Sequence, residues 1–265
     1  MSVMQRVLSW CVNHKTTLIP AATCVALIAL WQFSVDCGLI ANFLLPTPLQ
    51  VCHAAVQDCA LLCQHAQTTL LEALYGLVFG CILGFVVAVI MDVCAPIRYA
   101  LSPLITVSQT VPTIAIAPLL VLWLGYGLLP KVVLVILTTF FPITISLTAG
   151  FQSVSPDMLN LMKTMGATPF QLFWYVKIPG AIEHAFSGLT ISATYAIVAA
   201  VIAEWLGGYA GLGVYMIRVR KSFSYDRMFA VIVLISALSL ALMGCVRGLQ
   251  HICMPYKKYE RNQHE

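Results

Sequence analysis

Charge is scarce in this sequence. Asp, Glu, Lys and Arg make up 9% of the 265 residues, against 60% hydrophobic, and a soluble fold of this size has too little interior to hide so much apolar surface. A mean hydropathy of +0.92 points to a bilayer instead. The formal net charge of +4 is too small to suggest a nucleic-acid partner. No G-x-x-x-x-G-K-[ST] occurs, so the chain has no loop of that kind to cradle nucleotide phosphates. H-E-x-x-H, paired intramembrane aspartates and a serine–histidine dyad are also missing, which excludes the intramembrane hydrolases. Glu183-His184 lacks the second histidine, four residues away, that a metal pair needs, and neither metal nor cofactor is expected.

What the sequence has is apolar runs close to the roughly 20 residues that span a membrane. They lie at 18–33, 70–91, 99–124, 132–151, 186–203 and 228–246. The expected fold is all-α, a polytopic membrane protein with about six transmembrane helices. The first run reads as a retained anchor, because no small-residue cleavage site follows it before Asp36. The chain then divides into a cytoplasmic N-terminus (1–17), a membrane domain (18–246) with an interior loop at 152–185, and a cytoplasmic tail (247–265). With both termini inside, Arg6, Lys15, Arg98, Lys163, Lys177, Arg247, Lys257, Lys258 and Arg261 are internal, and Lys131, Arg218, Arg220, Lys221 and Arg227 are external. Of ten cysteines, Cys11, Cys24, Cys81, Cys94, Cys245 and Cys253 read as small apolar packing residues. Cys37, Cys52, Cys59 and Cys63 share the external stretch with His53 and His65 and are open to oxidative pairing or to holding a metal, though the spacing fits no zinc pattern. The five tryptophans, Trp10 among them, fall near predicted span ends as interfacial anchors.

Leu44-Leu45-Pro46-Thr47-Pro48 predicts a rigid extended entry, followed by an interfacial helix reaching to Gln67. Gly76, Gly80 and Gly84 share one face of the second span, either as a close-packing stripe or because glycine is common in membrane helices. The third span carries Pro103, Pro112 and Pro118 around Ser108-Gln109-Thr110. Broken backbone at membrane depth is tolerated only against protein or a water-filled cavity, so Ser108, Gln109, Thr110 and Pro112 are candidate pathway residues. Hydroxyls of the fourth and fifth spans, Thr194 among them, line a path or bond back to their own helices.

The interior loop has the clearest local signals. Ser155 can cap a helix that begins at Pro156 with Asp157 in its first turn. Met158, Leu161, Met162 and Met165 form one apolar face, and Gly166 stops the helix. Thr168-Pro169-Phe170-Gln171 has capping-box spacing and starts a second helix that Pro179 ends. A methionine-rich face suits a partner's groove; the alternative is a helix lying flat on the membrane.

Asn160-Leu161-Met162-Lys163-Thr164-Met165-Gly166, with Ile178-Pro179 following, resembles the EAA loop of binding-protein-dependent ABC importer permeases. The glycine and proline are in register, whereas Asn160, Leu161 and Met162 replace the name-giving Glu and Ala residues. Pro112 to Pro118, Leu122-Trp123-Leu124-Gly125-Tyr126-Gly127, Phe141-Pro142-Ile143 and Glu204-Trp205-Leu206-Gly207-Gly208 with Gly211-Leu212-Gly213 resemble the nitrate, sulfonate and taurine branch in the same order. Within that branch the stretch 203–226 looks closest to permeases for thiamine-precursor pyrimidines. The resemblance implies the type I ABC importer permease fold in a bacterial inner membrane, with two permease subunits, most simply a homodimer, lining the path. It further implies ATP-binding subunits gripping Met158, Leu161, Met162, Met165, Gly166 and Pro179, and a periplasmic or lipid-anchored solute-binding protein outside. Such a subunit is not an enzyme; ATP hydrolysis belongs to a separate chain.

Glu204, which ends the fifth span, reads as a solvated helix-end charge or as a contact to the binding protein, with Arg218, Arg220 and Lys221, to a substrate or to a gating neighbour. Glu72 and Asp36 read as solvated. The basic cluster, Arg227 included, steers an acidic partner or meets anionic lipid. An ion-coupled secondary transporter is the rival, but such carriers place ionisable residues at mid-membrane, where these spans have none.

Overall fold

The computed structural model describes residues 15–254; the expectations for Arg6, Trp10, Cys11, Lys257, Lys258 and Arg261 lie outside them. In chain order the helices are α1 (Lys15–Asp36), α2 (Pro48–Gln57), α3 (Cys59–Val93), α4 (Ala95–Ser108), α5 (Thr113–Leu124), α6 (Leu128–Gln152), α7 (Pro156–Thr164) and α8 (Pro169–Leu172). A wide π-turn (Phe173–Lys177) leads into α9 (Ile178–Gly207), followed by α10 (Leu212–Lys221) and α11 (Tyr225–Cys253). Five stretches are long and apolar enough to cross a membrane, and α4 with α5 makes a sixth, bent by 99° between Ser108 and Thr113. The six expected spans are thus present, the third broken at its proline-flanked polar run. α11 continues to Cys253, beyond the expected boundary at 246.

Contacts divide the chain into two units. In the unit formed by residues 1–59 and 219–232, Val51 and Ala54 of α2 pack with Ala230, and Trp31 lies 5.9 Å from the Phe229 ring. The expected extended entry is a helix cap: Thr47 accepts from the Gln50 amide while the Gln50 side chain accepts from the Thr47 N–H. The interfacial helix expected to reach Gln67 ends at Gln57, and α3 begins at Cys59. Cys37, Cys52 and Cys59 carry free thiols. Arg227 is paired with Asp58 at 3.2 Å, which takes it out of the basic cluster.

The other unit holds α3 to α9 and most of α11. Its seam between α3 and α6 explains the glycine stripe. A methyl group on Gly76 would collide with Val135, on Gly80 with the Thr139 hydroxyl, and on Gly84 with Ile143 at 2.9 Å. Three glycines four apart on one helix therefore receive three larger residues four apart on the other, the close backbone approach that packs helices in lipid. Ser192 of α9 donates to the Thr139 carbonyl at 2.8 Å and ties the third helix to the seam. Most remaining hydroxyls bond back to their own helix, as Thr138 does to Val135, Thr144 to Phe140 and Thr194 to Thr190.

Two expectations about the interior loop are corrected here. Ser155 stands at the helix N-cap but makes no side-chain capping bond. Pro179 does not end the second helix: α8, the π-turn and α9 run on without a break, with Pro179 in the first turn of α9. A proline interrupts a regular helix because it lacks an N–H and crowds the carbonyl four residues back. The wide turn removes that conflict, since the Ile178 amide already reaches back five residues to the Phe173 carbonyl.

Candidate functional site

Three features of the larger unit bear on function. The first is a cavity of about 720 Å³ beside the α4–α5 break, lined by Ser108, Gln109, Thr138, Phe141, Ser146 and Tyr195 together with aliphatic residues. None of its lining side chains is charged. Of the predicted pathway residues, Ser108 and Gln109 line it, whereas Thr110, Pro112 and Thr194 are exposed and do not. Thr138, Ser146 and Tyr195, hydroxyls of the fourth and fifth spans expected either to line a path or to bond back to their own helices, also line it, with Phe141 beside them.

The second feature is the loop around α7. Met158, Leu161 and Met165 are 51%, 58% and 75% exposed, Met162 is half-buried, and no residue of α7 is buried. Gly166 has φ +86°, and a methyl group there would meet nothing within 4 Å, so the glycine answers to backbone conformation alone. The Ala167 amide reaches back to the Met162 carbonyl at 3.0 Å and closes the helix end. Thr168 and Gln171 then form the expected capping box.

The third is a buried polar latch at the opposite ends of α6 and α9. Glu204 and Glu72 are 1% and 2% exposed, and Lys131 is 4% exposed. Lys131 donates to Glu72 at 2.6 Å, and its charge acts on both carboxyls. Glu204 accepts from the Thr69 hydroxyl at 2.6 Å. Three successive backbone amides of the loop after α9 are each held by a different side chain. Gly211 N–H donates to His65 Nδ1 at 3.0 Å, Leu212 N–H to Thr69 Oγ1 at 2.8 Å, and Gly213 N–H to Glu204 Oε2 at 2.5 Å. Because Nδ1 accepts, His65 carries its proton on Nε2. Gly211 lies so close to the Glu204 carboxyl that a methyl group would overlap it, so the glycine-rich run is the cradle the carboxylate needs.

Glu204 and Glu72, expected to be solvated, are therefore buried, and Glu204 offers no surface to a partner. A buried carboxyl needs a cation or hydrogen-bond donors to offset its lost hydration: Glu72 is paired with Lys131, and Glu204 accepts from Thr69 and the Gly213 amide. Arg218, Arg220 and Lys221 are exposed on α10. Lys131, read only as an external charge, His65, read only beside the external cysteines, and Thr69, not singled out at all, are the residues whose role in the latch sequence reasoning missed.

Residues 76–251 match the family described as binding-protein-dependent transport system inner membrane component. The chain belongs to that family. A probable ABC transporter permease protein of Haemophilus influenzae is 35% identical over 225 residues, 85% of this chain and 92% of its own length. The formylaminopyrimidine transport permease protein ThiX of Halalkalibacterium halodurans is 33% identical, covering 90% of this chain and 96% of its own. The taurine transport system permease protein TauC of Escherichia coli is 28% identical over 93% and 92%. Among solved structures, an inward-facing form of the MetNI methionine ABC transporter superposes with a TM-score of 0.63 at 20% identity, covering 73% of this chain and 96% of that one. The chain thus has the type I ABC importer permease fold. It is a multi-pass membrane subunit and not an enzyme, and permeases of this family work with an ATP-binding subunit and a solute-binding protein. Membership sets the ion-coupled carrier aside.

Proposed function

We propose that this permease forms, as a homodimer, the import path for a small neutral heteroaromatic solute of the thiamine-precursor pyrimidine class. The observation that carries the choice is the uncharged lining of the 720 Å³ cavity. Sulfonate, taurine and nitrate, the other solutes suggested by the branch, each bring an anionic group. Such a group is costly to desolvate without a charged or dense hydrogen-bonding partner. An aminopyrimidine asks for ring faces and single hydrogen bonds, which Phe141, Tyr195 and Gln109 can give. The one-third identity to a formylaminopyrimidine permease supports the same choice.

In this reading both termini are inside the cell. The face made by Met158, Leu161, Met162 and Met165 docks in the groove of the ATP-binding subunit, with Gly166 setting its angle and Pro179 continuing the return helix. Arg218, Arg220 and Lys221 face the solute-binding protein or anionic lipid. Cysteines introduced at Gln171 and Arg220 are expected to label from opposite sides of the membrane, Gln171 from the cytoplasm.

The deciding experiment is uptake into vesicles carrying the complete importer, with labelled formylaminopyrimidine, taurine and nitrate in parallel. Uptake of the pyrimidine alone, reduced about tenfold by Gln109→Leu through loss of one buried hydrogen bond, is the expected outcome. Uptake of taurine or nitrate in its place would overturn the solute assignment.

A further inference from the structure

The inner ends of the helices hold a polar contact that neither the family match nor the sequence reading assigns. Asp92 sits in the last turn of α3, and Lys177 is the last residue of the π-turn, one position before α9. Lys177 Nζ donates to both carboxylate oxygens of Asp92, at 2.8 and 2.7 Å, with the Asp92 side chain 6% exposed and that of Lys177 23%. The two residues are 85 positions apart in sequence.

What surrounds this pair gives it a mechanical role. On the α6 side the loop's return is locked by packing: Phe151 and Phe173 stack 5.5 Å apart, and methyl groups on Gly150 and Gly180 would press on His184 and Val154 at 2.8 and 2.9 Å. Between the three helices the packing is looser: an apolar cavity of about 230 Å³ is bounded by Cys81 and Phe85 of α3, Leu147 and Phe151 of α6, and Ile178 and Ile182 of α9, so α3 meets the return partly across empty space. Space without atoms forgoes dispersion contacts, so a seam that contains it deforms more easily than a filled one. An ion pair whose acid is nearly dry resists separation, because parting it would leave a buried charge uncompensated. The π-turn adds a second sign of use, since wide turns within helices are frequent at functional sites.

We propose that Asp92 and Lys177 are positioning residues that form a strut, carrying displacement of the α7 loop across the compliant seam to the inner end of α3. The inference rests on the reading of α7 as the ATP-binding subunit's docking helix. When that subunit moves α7, the π-turn moves with it, and the strut makes α3 follow while the adjoining cavity takes up the strain. Without the strut, the loop moves and α3 does not.

The test uses the complete importer in vesicles, in a cysteine-free background that retains activity. Spin labels at Val93 and Lys163, both exposed and neither on the apolar face of α7, report the distance between the end of α3 and the docking helix. With the strut intact that distance stays narrow and unchanged between the nucleotide-free state and the ATP-plus-vanadate-trapped state. Asp92→Asn and Lys177→Met should broaden and shift it on trapping. ATP hydrolysed per labelled formylaminopyrimidine imported should rise about tenfold, in the range of a typical coupling energy. Lys177→Arg, which keeps a bidentate cation, should restore both readouts in assemblies matched for ATP-binding subunit. An unchanged distance and an unchanged ratio in Asp92→Asn overturn the strut. The distance needs no solute, so failure of the wild-type importer to take up the pyrimidine would sink the solute assignment and leave the strut to be judged on distance. An ATP-binding subunit content left unchanged by Leu161→Glu would instead sink the docking reading beneath it.

Discussion

At one end of α6 and α9 the charges are inside, and at the other end the apolar residues are outside. Glu72, Lys131 and Glu204 are buried within the chain, whereas Met158, Leu161 and Met165 are each more than half exposed. Each arrangement reverses the usual rule that apolar residues are buried and charges exposed. A buried charge must find its partner within the fold, so the latch makes its loop rigid. An exposed apolar face can find its partner elsewhere, so α7 stays open to one, as the proposed docking requires. The comparison suggests that the latch end is built for shape and the loop end for contact.

The largest test of that contrast is Lys131→Met. It strips Glu72 of its buried cation, and removing one partner of a buried ion pair costs about 3–5 kcal/mol. The thermal unfolding midpoint of the detergent-purified permease should fall accordingly, and Lys131→Met combined with Glu72→Gln should recover most of the loss. Lys163, exposed on α7, is the control at the other end: Lys163→Met should move the midpoint by about 0.5 kcal/mol or less, as surface changes do. Equal effects at the two positions would break the comparison.

The two ends also differ in how legible they were. The loop's signals are local: a proline after a cap residue, an apolar face at helical spacing, a glycine past the helix end, and Thr168 reaching Gln171 three residues on. The latch is assembled from partners far apart, Lys131 with Glu72 across 59 positions and Thr69 with Glu204 across 135. A sequence shows Glu204 near a helix end and a glycine-rich run, but not that the run wraps the carboxylate. The seam was half legible, since Gly76, Gly80 and Gly84 announce a close approach without naming Val135, Thr139 and Ile143 as the other face. Pro179 misled because a proline's stop signal presumes the regular turn that the wide one replaces.

The positive-φ glycines sharpen the contrast further. Gly211 (φ +126°) faces the Glu204 carboxyl, while Gly166 (φ +86°) faces open space. Gly211→Ala therefore meets backbone strain and overlap together, about 3 kcal/mol in all, and should lower the unfolding midpoint. Gly166→Ala meets strain alone, about 1 kcal/mol. Gly166→Val, bulkier and β-branched, should leave the spans inserted while the ATP-binding subunit dissociates or hydrolyses ATP without import. ATP-binding subunit content, ATP turnover and uptake, measured on one preparation, separate the two sites. If Gly166→Val is normal in all three, the loop is not the coupling element.

The smallest effect comes from one capping device used twice. Thr47-Pro48-Leu49-Gln50 and Thr168-Pro169-Phe170-Gln171 make the same reciprocal bonds, with the threonine hydroxyl accepting from the amide three residues on and the glutamine side chain accepting from the threonine amide. Either threonine changed to alanine loses one cap, about 1 kcal/mol. The surroundings differ: Thr47 is buried and begins a helix packed on Ala230, whereas Thr168 is exposed and begins the return from the docking helix. In Thr47→Ala the amide of Gln50 is left without its acceptor in a half-buried setting, so the loss should register as a lower unfolding midpoint with import per assembled complex unchanged. In Thr168→Ala water can reach the freed amide and replace much of the bond, so the midpoint should barely move. The single residue between Gly166 and Thr168 then loses its fixed exit, and import per ATP should fall by about twofold, the equivalent of a few tenths of a kcal/mol in docking geometry. The opposite pattern, with coupling lost at Thr47 and stability lost at Thr168, would reverse the assignment of stability to the first cap and of contact to the second.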